Sequence, residues 1–117
     1  MSQEMENALL FVSDFNGILC SSIDETISDL LSIRVMESLY TYLLEKHGIT
    51  RMELPYRLEL FSSAIENFFG AKSARTIGRT VARHLYAHLQ LRFEDRPNFT
   101  LSDYVDEAKK ILQSNNT

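Results

Sequence analysis

Apolar residues recur at intervals of three or four along most of the chain, which is the spacing that places side chains on one face of an α-helix. Five stripes follow one another, and their main members are Leu19, Ile23, Ile27 and Leu30; Val35, Leu39, Tyr42 and Leu43; Leu58, Phe61, Ile65 and Phe68; Ala74, Ile77, Val81, Leu85 and Leu89; and Leu101, Tyr104, Val105, Ala108 and Leu112. The pattern predicts an all-α, single-domain bundle of about five helices. Its longest member, a central helix near residues 71–91, is expected to be roughly 30 Å long.

Signals that end helices separate these stripes. Gly48 and the basic residues just before it form a stop signal, because Gly accepts a left-handed cap and cations suit the negative end of the helix dipole. Gly70 closes the third stripe. Pro97 lies in a polar loop at residues 94–98 that precedes the last helix.

The two ends of the chain are less regular. Ser22 and Glu25 have capping-box spacing, so the first helix begins at Ser22 or else begins earlier and runs through it. Residues 1–18 form a helix or a packed arm, while the Asn-Gly pair at residues 16–17 is also compatible with a hairpin turn. Residues 113–117 are polar, and we expect a frayed tail there.

Composition is typical of a folded soluble domain. The 117 residues are one domain's length, and 44% are apolar while 24% are charged. A single cysteine, Cys20, excludes an internal disulfide, so the fold depends on its core. The longest apolar run near the N-terminus, residues 8–12, is far shorter than the ~20 residues of a membrane span. It also lacks the basic start of a signal peptide, so we predict a cytoplasmic protein with no membrane partner.

Charge is informative mainly through its distribution. A formal net charge of −4 argues against a nucleic-acid-binding protein, whose surface is usually basic. However, residues 1–33 contain six acids and no Lys or Arg, whereas residues 71–93 contain five Lys or Arg and no acid. If these regions meet within one chain, the basic side chains are structural, and if they meet between chains, they specify a homodimer. Otherwise the central helix is open to an acidic partner.

The basic residues of the central helix share one face. They are Lys72, Arg75, Arg79 and Arg83, and Tyr86 continues the same face. Successive members are three or four positions apart, so the four cations fall within about 60° of one another around the helix axis. This face lies opposite the apolar stripe. Three interpretations follow: pairing with acids elsewhere in the fold, contact with the phosphates of a nucleic acid or another anionic ligand, or docking onto an acidic protein surface.

A second stripe on the same helix consists of small residues. They are Ala71, Ala74, Gly78 and Ala82. A Gly inside a helix costs about 1 kcal/mol relative to Ala. A close helix crossing would offset that cost, and we expect the crossing to be internal to the fold or to form the seam of a homodimer.

Signatures of catalysis and metal binding are weak. His84 and His88 have the spacing of two metal ligands on one helical turn, but Leu85 stands where a metalloprotease carries Glu. No Cys, His or acidic cluster supplies further ligands, and neither a phosphate-binding glycine loop nor a nucleophile elbow is present. We therefore predict no enzymatic activity, no cofactor and no metal.

Three segments together resemble a known family. They are residues 39–49 (LYTYLLEKHGI), 68–74 (FFGAKSA) and 104–110 (YVDEAKK). In this order they are similar to the Nitrosopumilus output domain, a small helical domain of archaeal signalling proteins and stand-alone chains, over roughly residues 20–112. Typical members have a second Gly at the position of Ser73, so an anion-binding turn is not carried over. The resemblance implies a regulatory or interaction module and no catalytic residue.

The expected function is accordingly a non-enzymatic helical regulatory or interaction domain. We expect it to work as a signal-transduction output or adaptor module by protein–protein contact, with another protein or with a second copy in a homodimer. A nucleic-acid-associated regulator that uses the basic face is the alternative. A third hypothesis is a small-molecule sensor with an apolar pocket between Phe61, Phe68, Phe69 and the central helix.

Overall fold

The computed structural model describes the backbone of residues 2–115 and the side chains of residues 14–114. Its elements are α1 (Ser2–Leu30), α2 (Ile33–His47), a 3₁₀-helix (Arg51–Tyr56), α3 (Leu58–His88) and α4 (Leu101–Asn115). The described residues contain no strand, and the predicted all-α bundle of about five helices is confirmed. None of the described helices combines the length and apolar character that crossing a membrane requires.

Helix α1 runs without a break through the positions at which the sequence allowed a cap or a turn. The Ser22 hydroxyl is buried and donates to the Ile18 carbonyl at 2.8 Å, so Ser22 is an interior residue and the capping-box alternative is wrong. The Asn-Gly pair at residues 16–17 is helical, which excludes the hairpin. The apolar stripe explains this continuity, because Phe15 and Leu19 are buried on the same face.

Helix α2 ends at the stop signal that its sequence predicts. The Ser32 side chain accepts a hydrogen bond from the Val35 amide at the N-terminus. Gly48 adopts the left-handed conformation at the C-terminus, with φ 65°, and its amide bonds to the Leu44 carbonyl. Lys46 and His47 occupy the last turn, where cations interact favourably with the helix dipole.

Gly70 divides α3 into two arms. Its φ of 86° and ψ of 164° are open to Gly and strained for other residues, so the predicted break at this position is confirmed. The N-terminal arm covers residues 58–69 and the C-terminal arm residues 71–88. The C-terminal arm is the predicted central helix, although it ends at His88 rather than at residue 91, because Gln90 takes a left-handed φ of 57°.

The core lies where α1 meets α3. Helix α4 packs on α3, while α2 and the 3₁₀-helix pack on α1. The largest fully buried side chains of the core include Leu19, Ile23, Ile27, Leu39, Leu43, Phe61, Ile65, Val81 and Leu85. Helix α4 continues to Asn115, so residues 113–115 are helical where a frayed tail was predicted, and residues 116–117 lie outside the described part.

Candidate functional site

The four predicted cations line one exposed face of the C-terminal arm of α3. Lys72, Arg75, Arg79 and Arg83 are all exposed, and we refer to them as the basic stripe. The opposite face of this arm carries Ile77, Val81 and Leu85, which are buried in the core. The arm is therefore fixed by apolar packing, and its charged side chains stand on a surface that the core holds in place.

Tyr86 does not belong to this exposed face, and its predicted place beside the cations is wrong. Only 3% of its surface is exposed, and its hydroxyl donates to the Tyr104 carbonyl at 2.7 Å. Phe93 and Tyr104 pack edge-on against its ring because the loop after α3 and helix α4 fold back over this end of the arm. Burial, together with the nearby Glu107 carboxylate, raises the pKa of Tyr86 to about 12.

The basic stripe has few acidic partners. Arg79 Nε lies 3.4 Å from Asp95 Oδ1, and the Arg83 guanidinium lies 5.4 Å from the centre of the Phe93 ring. None of the ion pairs among the described side chains involves Lys72, Arg75 or Arg83. Three of the four cations therefore lack an acidic partner in the described part of the chain.

Two of the described acids of α1, Asp24 and Glu25, pair elsewhere. Asp24 accepts hydrogen bonds from the Tyr40 hydroxyl and from Arg51 Nε, the latter at 2.8 Å, and Arg51 Nη2 lies 2.5 Å from the same carboxylate. Glu25 Oε2 lies 2.6 Å from His88 Nε2, so it joins α1 to the end of α3. The acidic N-terminal third and the basic stripe thus belong to packed helices, but Asp24 and Glu25 contact Arg51 and His88 instead. None of the ion pairs among the described side chains joins an acid of α1 to the stripe.

The two histidines of α3 make hydrogen bonds that orient them within the fold. His84 Nδ1 lies 2.9 Å from the hydroxyl of the buried Thr26, and His88 contacts Glu25 as above. Among the described residues, no group of three or more His, Cys, Asp or Glu side chains is arranged to hold a metal ion. Burial raises the pKa of the Cys20 thiol, which disfavours the nucleophilic thiolate.

The small residues of α3 divide into two groups. A Cβ placed on Gly78 would lie 3.8 Å from Leu101 Cβ, so Gly78 faces α4 in ordinary van der Waals contact, and Ala82 is fully buried. Gly78 and Ala82 therefore belong to a helix contact within the chain, which is the first of the two predicted uses of this stripe. Ala71, by contrast, is exposed and Ala74 is half-buried.

Ala71 and Ala74 open into a cavity of about 370 Å³, which we call the α3–α4 groove. Glu66 and neighbouring residues of the N-terminal arm of α3 form one side, and the loop before α4 forms the other. Arg75 and Arg79 of the stripe also line it. Arg96 and Phe99 complete the far wall, and sequence reasoning missed them because no periodic pattern marks a loop residue.

The aromatic residues proposed for a ligand pocket are buried in the core or pack against other rings. Phe61 is fully buried, while the Phe68 ring lies 4.8 Å from that of Tyr42 and 5.7 Å from that of Phe69. Side-chain packing accounts for these residues, so the sensor hypothesis gains no support from them.

Comparison with known proteins adds no relative to this picture. No protein-family model matches the chain, and searches of curated proteins and of solved structures find no match either. The resemblance to the Nitrosopumilus output domain therefore stays a prediction. The basic stripe and the α3–α4 groove are the two surface features that bear on the function.

Proposed function

We propose that this chain is a non-enzymatic helical regulatory domain that acts by protein–protein contact. The observation that carries the proposal is the basic stripe: four exposed cations on one helical face, of which Lys72, Arg75 and Arg83 have no ion-pair partner among the described side chains. The chain as a whole is negatively charged, with a net charge of −4, so it does not attract polyanions in general. Cations without an acidic partner on such a chain favour the docking of one acidic surface at the stripe.

The fixed position of the stripe supports this role. Its helix is held by Ile77, Val81 and Leu85 in the core, so the backbone beneath the cations needs little reordering when a partner binds. Pre-arranged charge mainly accelerates association and selects among partners by electrostatic complementarity. A protein with an acidic patch of matching spacing is the partner that this surface favours.

The sequence resemblance adds the regulatory setting. If the likeness to an archaeal signalling domain reflects common descent, the chain is an output or adaptor module whose task is to contact another component. A second copy of the chain is one candidate for that component. Size-exclusion chromatography with light scattering tests it directly, because a monomer at working concentration removes the homodimer.

A charge-reversal variant tests the proposed function. Native extract is passed over the immobilised wild-type chain and over a variant in which Lys72, Arg75, Arg79 and Arg83 are all changed to Glu, and a captured protein is then purified and titrated against both. We expect the purified partner to bind the wild type and to lose at least about tenfold in affinity with the variant. Equal affinities would contradict the proposal.

Nucleic acid remains the second candidate, and the exposure of three arginines on one face is the observation that favours it. Fluorescence anisotropy with labelled duplex and single-stranded DNA at low salt separates the two functions. Binding that weakens steeply with salt, with a slope that falls in the charge-reversal variant, would support contact with phosphates. We expect a flat titration.

A further inference from the structure

The α3–α4 groove combines an apolar floor with a basic rim. Ala71, Ala74 and Phe99 supply apolar surface, while Arg75 and Arg79 stand on one side and Arg96 on the other. The charged residues that line it are three arginines and one acid, Glu66. Arg96 lies 3.5 Å from both Glu94 and Glu107, so Arg75 and Arg79 are the arginines that a partner's carboxylates would meet. Lys72 and Arg83, the other members of the stripe, are not among the residues that line the groove.

We propose that the groove binds an acidic amphipathic segment of a partner protein, with one apolar side chain of that segment entering between Ala74 and Phe99. Carboxylates that flank this anchor meet Arg75 and Arg79. This inference rests on the proposed function, because it names the kind of partner that the basic stripe docks and the place where it is anchored.

The size and lining of the groove define the anchor. A cavity of about 370 Å³ is at the lower end of the range that proteins use for bound ligands, roughly 300–1,000 Å³. It therefore has room for a large side chain and part of its backbone rather than for a whole helix. Because the floor consists of Ala71 and Ala74, an incoming Leu or Phe side chain can approach the α3 backbone closely.

The arginines define the charge of the segment. Arg75 has no ion-pair partner among the described side chains, and the contact of Arg79 with Asp95 joins two side chains that are 44% and 54% exposed. Exposed ion pairs of this kind contribute little, so exchange of Asp95 for a partner carboxylate costs little. Guanidinium groups bind carboxylates through two parallel hydrogen bonds, which gives orientation as well as affinity.

The far wall is held in position before any partner binds. The Tyr104 hydroxyl donates to the Arg96 carbonyl at 3.1 Å and accepts from the Arg96 amide at 2.8 Å. The Phe99 ring packs against that of Tyr104, with 5.1 Å between centroids, and the Arg96 guanidinium lies 5.0 Å from the Phe99 centroid. A pre-arranged wall lowers the entropic cost of binding.

The same surroundings disfavour a nucleic acid in this groove. Glu66 lines the cavity, and Asp95 stands beside Arg79. A nucleic acid along the basic stripe would bring successive phosphates next to these carboxylates, whereas a peptide can place its acids opposite Arg75 and its apolar residue opposite Ala74. Phe99 is the one aromatic side chain in the lining, whereas successive bases stack on several such side chains.

A peptide-selection experiment tests the proposal. A phage-displayed library of random 12-residue peptides is selected on the immobilised full chain, and enriched peptides are synthesised with a fluorophore and titrated by anisotropy. We expect enriched sequences to combine two or more Asp or Glu residues with a Leu, Ile, Phe or Trp. Replacing that apolar residue by Ser is expected to weaken binding by about tenfold or more.

Three variants of the protein localise the binding. Ala71→Trp fills the groove without changing charge, and we expect it to weaken the peptides by about tenfold or more. Arg75→Glu should weaken them and reduce the salt dependence of binding. Lys110→Glu, an exposed charge reversal on α4 outside the groove, serves as the control and should stay within about twofold of the wild type. Thermal unfolding by circular dichroism verifies that each variant folds.

The outcomes separate this inference from the proposed function. Enriched peptides without a bias toward acidic and apolar residues would overturn the proposed binding in the groove. Equal peptide affinities of Ala71→Trp and the wild type would overturn it as well. A purified protein partner that binds Ala71→Trp normally but fails to bind the stripe variant would leave the proposed function standing and refute its anchoring here. Single-stranded DNA that displaces the peptides would replace the peptide proposal with a nucleic-acid one.

Discussion

Tyr86 occupies a helix position that periodicity assigns to the exposed basic face, yet it is one of the buried residues. The rings that cover it belong to Phe93 and Tyr104, which follow the end of α3 and return to it through a loop. A helical-wheel argument describes one helix and contains no information about such a return. The spacing of Arg75 and Arg79 was enough to predict their exposure, because the described loop and helix that follow α3 leave both side chains exposed.

We predict that Tyr86→Phe destabilises the fold at neutral pH by about 1 kcal/mol, since the ring still fills its site but the hydrogen bond to the Tyr104 carbonyl is lost. Urea unfolding at pH 7 measures the change. Tyr56→Phe is the matched control. Because Tyr56 is 69% exposed, the free energy of unfolding of this variant should equal that of the wild type.

The same substitution has a predicted pH signature. The pKa of Tyr86 is raised by burial from the ordinary 10.0 to about 12, so the folded state holds this proton more tightly than the unfolded chain. The stabilisation is complete below pH 10 and is lost as the pH rises through 12. The free energy of unfolding of the wild type should therefore fall more steeply between pH 10 and 12 than that of Tyr86→Phe. Parallel curves would show that Tyr86 is not the group responsible.

Helix α3 contains two glycines with opposite roles. Gly70 has a φ of 86° and sets the angle between the two arms that enclose the groove. Gly78 is a regular helical residue, and a Cβ there would be 3.8 Å from Leu101 Cβ, an ordinary contact distance. The sequence suggested a helix end at one and a close crossing at the other, but only backbone angles and the position of α4 establish which substitution is tolerated.

Alanine substitutions at these glycines should change stability in opposite directions. Gly70→Ala forces a side chain into a conformation that Gly alone adopts easily, and we expect a loss of about 1–3 kcal/mol. Gly78→Ala should gain up to about 1 kcal/mol in helix propensity, because Leu101 leaves room for one methyl group. Chemical denaturation measures both, and Gly17→Ala in α1, with open space around its Cα, is the control for propensity alone. A destabilised Gly78→Ala would show that α4 packs more closely than described.

At the scale of the molecule, the helices, the core and the exposed basic stripe were largely predictable, whereas the α3–α4 groove was not. Periodicity identifies Leu19, Ile23 and Val81 as core residues because each helix buries one face wherever its neighbours lie. The groove depends on where the loop at residues 89–100 returns, and nothing periodic marks Arg96 or Phe99. The sequence of α1 likewise does not indicate that Asp24 pairs with Arg51 and not with a cation of the basic stripe.

Asp24 joins three elements through one carboxylate. Tyr40 of α2 donates to its Oδ1 and Arg51 of the 3₁₀-helix donates to its Oδ2, while Asp24 itself belongs to α1. Burial and the hydrogen bond to Asp24 raise the pKa of Tyr40 above its ordinary value, so the phenol stays protonated and continues to donate. The network therefore fixes the position of α2 and the 3₁₀-helix against α1 with charge-assisted hydrogen bonds.

We predict that Asp24→Asn lowers the free energy of unfolding by about 1–2 kcal/mol, because Arg51 loses its charged acceptor. The expected loss of stability is small for a charged hydrogen bond, because the Arg51 and Asp24 side chains are 36% and 30% exposed and water screens the pair. Differential scanning calorimetry should show one transition with the melting temperature reduced by roughly 5 °C or more. Asp29→Asn, an exposed position on the same helix, removes the same charge and should leave the melting temperature nearly unchanged. Equal shifts in both variants would mean that net charge, and not the three-element network, determines the effect.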